Sequence, residues 1–145
     1  MSPSNQIQLY GLEKYFNEVK KLYDLGKMPN KILYSGKKGI GKSTLAYHVI
    51  NYILSQSEND KYDDITFKIN KDNKSFILLN NKTHPNFFLI DLKSEKKNIE
   101  IDQVREMIYY TNKSNFNNLP RFVLIDNIEN LNKNSTNALL KIIEE

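Results

Sequence analysis

The stretch Gly36-Lys37-Lys38-Gly39-Ile40-Gly41-Lys42-Ser43 decides how the remaining sequence is interpreted, because it matches the phosphate-loop pattern GxxxxGK[ST]. Glycines in such a loop let successive backbone N–H groups point inward at a β-phosphate. Lys42 supplies a cation for the β- and γ-phosphate oxygens, Ser43 supplies a hydroxyl for Mg²⁺, and the next helix adds a partial positive charge. We therefore predict that residues 36–44, ending at Thr44, bind a nucleotide; the alternative is a Gly-rich turn without a ligand.

The sequence on either side of the loop has the pattern that a phosphate loop requires. Lys31–Ser35 is short and apolar, which predicts a buried strand, and Lys42–Ser55 has the apolar spacing of a helix. An earlier amphipathic helix is predicted from Leu12 to Leu25, ending before Gly26. A strand before the loop and a helix after it rarely accompany a chance match to the pattern.

The rest of the chain alternates predicted strands and helices. Ile65–Ile69 and Ser75–Leu79 flank a polar NKDNK stretch and predict a small hairpin. Phe87–Asp91 and Arg121–Asp126 predict two further buried strands. The alternation of strands with helices predicts an α/β fold with a parallel sheet.

Two more helices complete this pattern. Asp102 is the predicted N-cap of a helix that runs through Met107, and Asn132 or Asn134 is the predicted cap of the last helix. The predicted apolar face of that last helix consists of Leu139, Leu140, Ile142 and Ile143.

Phe122–Ile125 followed by Asp126 has the form of a Walker B strand, four apolar residues that end in an acid. An Asp at this position can hold Mg²⁺ beside the phosphate loop, so Ser43 and Asp126 are the predicted metal-binding residues. The alternative is a core strand that ends in an ordinary Asp. The next residue is Asn127, which cannot accept a proton from water as a Glu would, and we expect no base at Glu129. The sequence thus favours ATP binding over efficient hydrolysis.

Composition narrows the functional classes. The chain has 145 residues, the size of one domain or most of one, and no cysteine, which excludes disulfides, Cys-ligated zinc and thiol chemistry. The two histidines, His48 and His84, make a poor zinc site, so no zinc is expected. The net charge of +4 favours a mixed solvated surface over a dedicated nucleic-acid face. With no long apolar run and no export signal, we expect a cytoplasmic protein without membrane contact.

Five segments together resemble, in order, the AAA+ clamp-loader family of bacterial DNA polymerase III. They are MPNKILYSGKKGIGKSTLA, HPNFFLID, IEIDQVREM, RFVLIDNIENLN and NALLKIIEE. The set favours the delta-prime branch over gamma/tau, which usually has Asp-Glu after the Walker B strand. The resemblance implies a P-loop, RecA-like parallel sheet flanked by helices, with strand order 5-1-4-3-2. The opening LYGLEKYF resembles the family segment near the adenine, which implies roles for Tyr10 and Gly11.

The function that the resemblance implies is that of a clamp-loader subunit in DNA replication. Such a subunit binds ATP and Mg²⁺ and helps to place the ring-shaped sliding clamp on primer–template DNA. The implied partners are other loader subunits in a hetero-oligomer, the clamp, and DNA contacted without sequence specificity. Asn127 fits a stationary subunit of such an assembly.

The sequence departs from this family in two places. The cysteine-free stretch Asn59–Lys82 replaces a four-cysteine zinc module, and the sequence ends before the sensor strand, arginine finger, lid and collar domains. We therefore expect residues 1–145 to be the N-terminal part of an AAA+ nucleotide-binding domain, poorly stable alone because the sheet lacks its fourth strand.

Three other functions remain open. An active AAA+ ATPase of another type, a gamma/tau motor or helicase loader, would hydrolyse ATP despite Asn127. A small-molecule kinase would need a lid and several arginines, but the chain has only Arg105 and Arg121. A scaffold that has lost nucleotide dependence would assemble unchanged after Lys42→Ala.

Overall fold

The computed structural model describes residues 2–34, 39–91, 98–114 and 117–144, with the backbone alone at 128 and 142–144. The chain divides into two compact units, Met1–Thr83 and His84–Glu145, called here the N-terminal unit and the C-terminal unit. No helix in the described part is both long and apolar enough to cross a membrane.

The N-terminal unit is built around one buried helix. Its helices are α1 (Glu13–Asp24), α2 (Lys42–Leu54) and α3 (Lys74–Asn80), and a 3₁₀ turn lies at Pro3–Asn5. Every residue of α2 from Thr44 to Leu54 is buried. The helix begins at Lys42, within the phosphate-loop sequence, as predicted, so the core of the unit fixes the position where that loop ends. The bounds predicted for α1 differ by one residue at each end.

An aromatic cluster joins α1 to the segment that follows α2. The ring of Phe16 is fully buried and stacks on Tyr62, with 5.1 Å between the ring centroids. Tyr52 and Phe67 meet the same ring edge-on at 5.7 and 5.6 Å. Such edge-on and stacked pairs add stability beyond the burial of apolar area. The cysteine-free segment 59–82 therefore supplies two rings to the core of this unit.

The predicted hairpin over Ile65–Ile69 and Ser75–Leu79 is wrong, because its second strand is part of helix α3. Asn73 caps this helix, and its side-chain oxygen accepts the Phe76 N–H at 2.8 Å. Glu58 adds a second cap, since its carboxylate accepts both the N–H and the hydroxyl of Ser75. Carboxylate and amide oxygens at a helix start satisfy N–H groups that lack a partner within the helix.

The buried strand predicted at Lys31–Ser35 is also wrong within the described residues. Residues 31–34 form no strand, and Ile32 and Leu33 are 40% and 76% exposed. Among the described residues no neighbouring strand pairs with them, and a strand needs a partner for its N–H and C=O groups. Ser35 lies outside the described residues.

The C-terminal unit confirms the predicted α/β fold with a parallel sheet. Strands β1 (Phe87–Ile90) and β2 (Phe122–Ile125) pair in parallel, with Phe87 opposite Phe122. Helices α4 (Ile101–Asn112) and α5 (Lys133–Glu144) follow the two strands, and a 3₁₀ turn lies at Ile128–Asn130. The buried core of this unit consists of Ile90, Ile99, Val104, Met107 and Leu139.

Two details of these helices differ from the predictions. The N-cap of α4 is Glu100, and Asp102 lies in the first turn, where its carboxylate is 3.5 Å from Arg105. The α5 cap agrees with the prediction: it is Asn132, whose side chain accepts the Ser135 N–H at 2.8 Å. Leu140 is 46% exposed, so it does not belong to the buried face of α5. The side chains of Ile142 and Ile143 lie outside the described residues.

His48 lies in the middle of α2 and is fully buried. Its Nε2 lies 2.9 Å from the backbone oxygen of Gln6, and its Nδ1 lies 2.7 Å from the Tyr62 hydroxyl. A carbonyl oxygen can only accept, so Nε2 donates to Gln6 and Nδ1 of the neutral ring accepts from Tyr62. Burial disfavours the imidazolium and lowers the pKa of His48 from 6.5 to about 4.

The buried His48 makes the stability of the N-terminal unit dependent on pH. Between pH 6.5 and 4 the unfolded chain binds a proton at this ring that the folded chain does not, so the free energy of unfolding falls as the pH falls. We expect acidification across this window to remove about 3 kcal/mol that His48 contributes. Denaturant unfolding of the wild type and His48→Gln at several pH values measures this. The difference between them should shrink towards pH 4; a difference independent of pH would contradict the assignment.

Candidate functional site

A cleft of about 220 Å³ in the N-terminal unit lies where the phosphate-loop sequence ends. It brings together the beginning of α2 and a segment close to the N-terminus. Its lining residues are Gln6, Leu9, Tyr10, Leu12, Gly39, Ile40, Gly41 and Thr44. Gly36, Lys37 and Lys38, which are part of the predicted phosphate cradle, lie outside the described residues.

The described end of the loop has a backbone that requires glycine. Gly39 and Gly41 have φ values of +90° and +95°, which side chains of L-residues rarely adopt. Gly41 is also the N-cap residue of α2, and its carbonyl accepts the Leu45 N–H at 2.9 Å. A Cβ atom at Gly41 would lie 3.4 Å from the Leu12 side chain. That distance is an ordinary van der Waals contact, so the positive φ and not the space around it requires glycine at this position.

Lys42, Ser43 and Thr44 form the first turn of α2. Lys42 and Ser43 are half-buried, Thr44 is buried, and this turn contains no acidic residue. Unpaired N–H groups and the partial positive charge at a helix N-terminus favour anions, and the Lys42 ammonium adds a full charge. The chemistry of this turn thus suits a phosphate group.

The two residues assigned to the adenine side differ in what they contribute. Tyr10 lines the cleft with 72% of its surface exposed. Gly11 does not line it; with φ +76° it forms a turn, and its N–H donates to the Glu13 carboxylate at 3.2 Å. Leu9 and Leu12, which sequence reasoning missed, also line the cleft. The apolar positions of the same LYGLEKYF segment were the signal for them.

In the C-terminal unit, acids follow both parallel strands at their carboxyl ends. Asp91 follows β1, and Asp126 follows β2 and donates its N–H to Ile90 at 2.9 Å. Asn127 joins the two acids. Its side-chain amide donates to the Asp91 carboxylate at 2.6 Å, and its N–H donates to the Asp126 carboxylate at 2.9 Å. Sequence reasoning missed Asp91, although an acid at the end of a neighbouring parallel strand was a usable signal.

The predicted metal residues Ser43 and Asp126 belong to different units, and the structure does not test their pairing. Ser43 offers a half-buried hydroxyl and Asp126 a half-buried carboxylate. Both are oxygen ligands of the kind that Mg²⁺ prefers. No group of three or more His, Asp and Glu side chains placed to hold a metal ion occurs in the described ranges.

The HPN sequence before β1 has a structural role that the sequence did not reveal. Asn86 is fully buried, and its amide exchanges two hydrogen bonds of 2.9 Å with the amide of Asn117. It also donates to the Pro120 carbonyl at 3.2 Å, and its own carbonyl accepts the Phe122 N–H at 2.7 Å. Asn86 thus holds the loop before β2 and helps to set the register of the two strands.

A parallel α/β fold and a GxxxxGK[ST] loop at the start of α2 are together typical of P-loop proteins. The family model described as DNA polymerase III, delta subunit, matches residues 11–145. The chain therefore belongs to this family, which confirms the resemblance to clamp-loader subunits.

Three similar proteins are also named as subunits of DNA polymerase III. A DNA polymerase III subunit delta' from Pseudomonas aeruginosa is 32% identical over 114 residues, 79% of this chain and 33% of that protein. A subunit gamma from Buchnera aphidicola subsp. Schizaphis graminum is 29% identical over 144 residues, 99% of this chain and 37% of the relative. A delta' subunit from Buchnera aphidicola subsp. Baizongia pistaciae is 27% identical over 139 residues, 92% of this chain and 40% of the relative. The chain thus spans 33 to 40% of the length of these relatives.

Replacing Asn127 separates backbone strain from the hydrogen bond to Asp91. Asn127 has φ +54°, so Asn127→Ala loses the bond and also strains the left-handed backbone. Asn127→Gly loses the bond alone. We expect losses of about 2 kcal/mol for Ala and about 1 kcal/mol for Gly in the free energy of unfolding. Denaturant titration measures both, and an alanine variant as stable as the glycine variant would contradict the left-handed assignment.

Proposed function

We propose that this protein is a clamp-loader subunit of bacterial DNA polymerase III that binds ATP with Mg²⁺ and helps to load the sliding clamp onto primed DNA. The observation that carries the proposal is the cleft at the start of α2. There the Gly39–Gly41 backbone and the 6–12 segment meet, in a chain that belongs to a DNA polymerase III family. The proposed partners are other loader subunits, the clamp, and DNA phosphates contacted in a salt-sensitive way.

The phosphate end of the proposed ligand is bound by residues 36–44. The loop N–H groups and the α2 N-terminus bind oxygens of the β-phosphate, and Lys42 neutralises charge on the β- and γ-phosphates. Ser43 and Asp126 are the residues that would hold Mg²⁺, which when bound neutralises further phosphate charge. The absence of an acidic residue from the first turn of α2 supports this arrangement, because an acid there would repel the phosphates.

The nucleoside end of the ligand is assigned to the opposite wall of the cleft. Leu12 provides apolar surface, with the buried Leu9 behind it, and the exposed ring of Tyr10 provides a face on which a base can stack. Gly11 supplies the turn that leads from this wall into α1. Such a wall suits an adenine ring.

The subunit is proposed to bind ATP without efficient turnover. Asn127 cannot act as a general base, and its amide is held by the carboxylate of Asp91. Glu129 follows in the 3₁₀ turn and is exposed. A stationary subunit of an assembly needs bound nucleotide for its shape and does not need to hydrolyse it.

We also propose where this chain stands in the larger family architecture. Residues 1–145 correspond to the N-terminal part of an AAA+ nucleotide-binding domain, with Asn59–Lys82 in place of the zinc module. The family match from residue 11 to 145 supports this placement. The proposed location is the cytoplasm, where replication assemblies act.

Lys42→Ala tests the phosphate assignment. Removing this cation should weaken Mg²⁺–ATP binding about ten- to a hundredfold, because hydrogen bonds to charged groups are the strong ones. Lys14→Ala is the matched control, since it removes the same charge from an exposed position on α1. Isothermal titration measures both variants. Equal affinities for Lys42→Ala and the wild type would refute the assignment.

The same variant separates the alternative functions. The 29% identity to a gamma subunit favours an active AAA+ motor as the second candidate. Steady ATP turnover by the wild type that Lys42→Ala abolishes would support the motor. Nucleotide-independent assembly with loader subunits, unchanged in Lys42→Ala, would instead support a scaffold.

A further inference from the structure

The N-terminal segment that lines the cleft is paired with part of the 59–82 segment. Leu9 donates its N–H to the Phe67 carbonyl at 3.1 Å, and Ile69 donates its N–H to the Ile7 carbonyl at 2.8 Å. Between them, Gln8 and Lys68 form an antiparallel bridge. Residues 62–69, called here the clasp, therefore add a short strand-like edge along residues 7–9.

Two side chains extend this pairing. The amide of Gln8 donates to the Thr66 carbonyl of the clasp at 2.8 Å. The second side chain is His48, which bonds to both the Gln6 carbonyl and the Tyr62 hydroxyl. Tyr62 is the first residue of the clasp. Tyr62 is itself held in place by its stacking on Phe16.

These bonds fix one wall of the cleft. Gln6 and Leu9 line the cleft, and both are attached to the clasp or to His48 through their backbone. Residues 6–12 form no helix, and their one isolated bridge is the pairing of Gln8 with Lys68 in the clasp. Their position therefore depends on these partners. The other wall, at Gly39–Gly41, is held by its direct continuation into α2.

We propose that the clasp positions the nucleoside-binding wall of the cleft, with Tyr62 and Gln8 as positioning residues that never touch the ligand. The inference rests on the proposed function, because it takes the ligand to be a nucleoside triphosphate. It gives the 59–82 segment a role in selectivity: the clasp determines affinity for the base and ribose, and the phosphate loop determines affinity for the triphosphate.

The physical consequence follows from populations. If loosening the clasp leaves the wall correctly placed in only a fraction of the molecules, the apparent dissociation constant rises by the inverse of that fraction. The apparent dissociation constant rises for a ligand that contacts both walls. It does not change for a ligand that contacts only the phosphate loop.

Tyr62→Phe tests this inference in the full-length protein. It keeps the stacked ring and removes only the hydroxyl that donates to His48. We expect Mg²⁺–ATP to bind about three- to tenfold more weakly and inorganic tripolyphosphate to bind unchanged, both by isothermal titration. An equal loss for both ligands would mean a general structural effect and would overturn the proposal, as would unchanged ATP affinity.

Tyr52→Phe is the matched control. It removes a hydroxyl from the same aromatic cluster, but that hydroxyl donates to the Asp24 carboxylate and not to the clasp. Its ATP affinity should equal that of the wild type. A loss equal to that of Tyr62→Phe would assign the effect to the cluster as a whole and overturn the role of the clasp.

Gln8→Met keeps the test valid if Tyr62→Phe does not fold, which circular dichroism would show. It removes the donor to Thr66 from a partly exposed side chain, and we expect the same selective loss of ATP affinity at about twofold. Unchanged ATP affinity here would overturn the proposal.

If the wild type binds tripolyphosphate and ATP equally well, the nucleoside wall is refuted while the phosphate site stands. If the wild type binds neither, the proposed function itself fails, and this inference fails with it.

Discussion

A neutral, fully buried imidazole at the centre of α2 joins three parts of the N-terminal unit that are distant in sequence. Both ring nitrogens of His48 have partners, the Gln6 carbonyl on one side and the Tyr62 hydroxyl on the other. Among the described side chains no buried nitrogen or oxygen atom lacks a hydrogen bond. An unpaired polar atom here would carry a large desolvation penalty, so the helix, the N-terminal segment and the clasp must keep their places together. The hydrogen bonds of His48 therefore help to determine the shape of the cleft, which Gln6 lines.

Buried polar pairs also attach the 59–82 segment to α2. One turn after His48, Asn51 exchanges two amide hydrogen bonds of 3.2 Å with Asn73 of the 59–82 segment. The segment is attached by these buried amides and by stacked rings, which hold only if every partner is present. Such a network favours one arrangement of the segment on α2.

The sequence predicted those features that depend on neighbours along the chain. The extent of α2 follows from its apolar spacing and the glycine before it, and β1 and β2 follow from short apolar runs that end in acids. The wrong predictions lie where contacts with residues distant in the sequence determine the local structure. Residues 31–34 have the composition of a strand, but no strand lies beside them in the described part of the chain. Residues 75–79 are helical because Asn73 and Glu58 cap them. For the cleft, the motif indicated the loop wall, whereas the position of Gln6 depends on a bond to the distant His48 that no local pattern encodes.

The pair formed by Asp91 and Asn127 bears on the proposal that this chain binds ATP without efficient turnover. A general base at position 127 would need a carboxylate there, facing the carboxylate of Asp91 at hydrogen-bonding distance. Two such carboxylates would repel each other. Asn removes the repulsion, donates to Asp91, and tolerates the left-handed backbone that the turn after β2 imposes. The residue that suits the local structure is thus one that cannot activate water. Under the proposed function, local stability and slow turnover would therefore favour the same side chain.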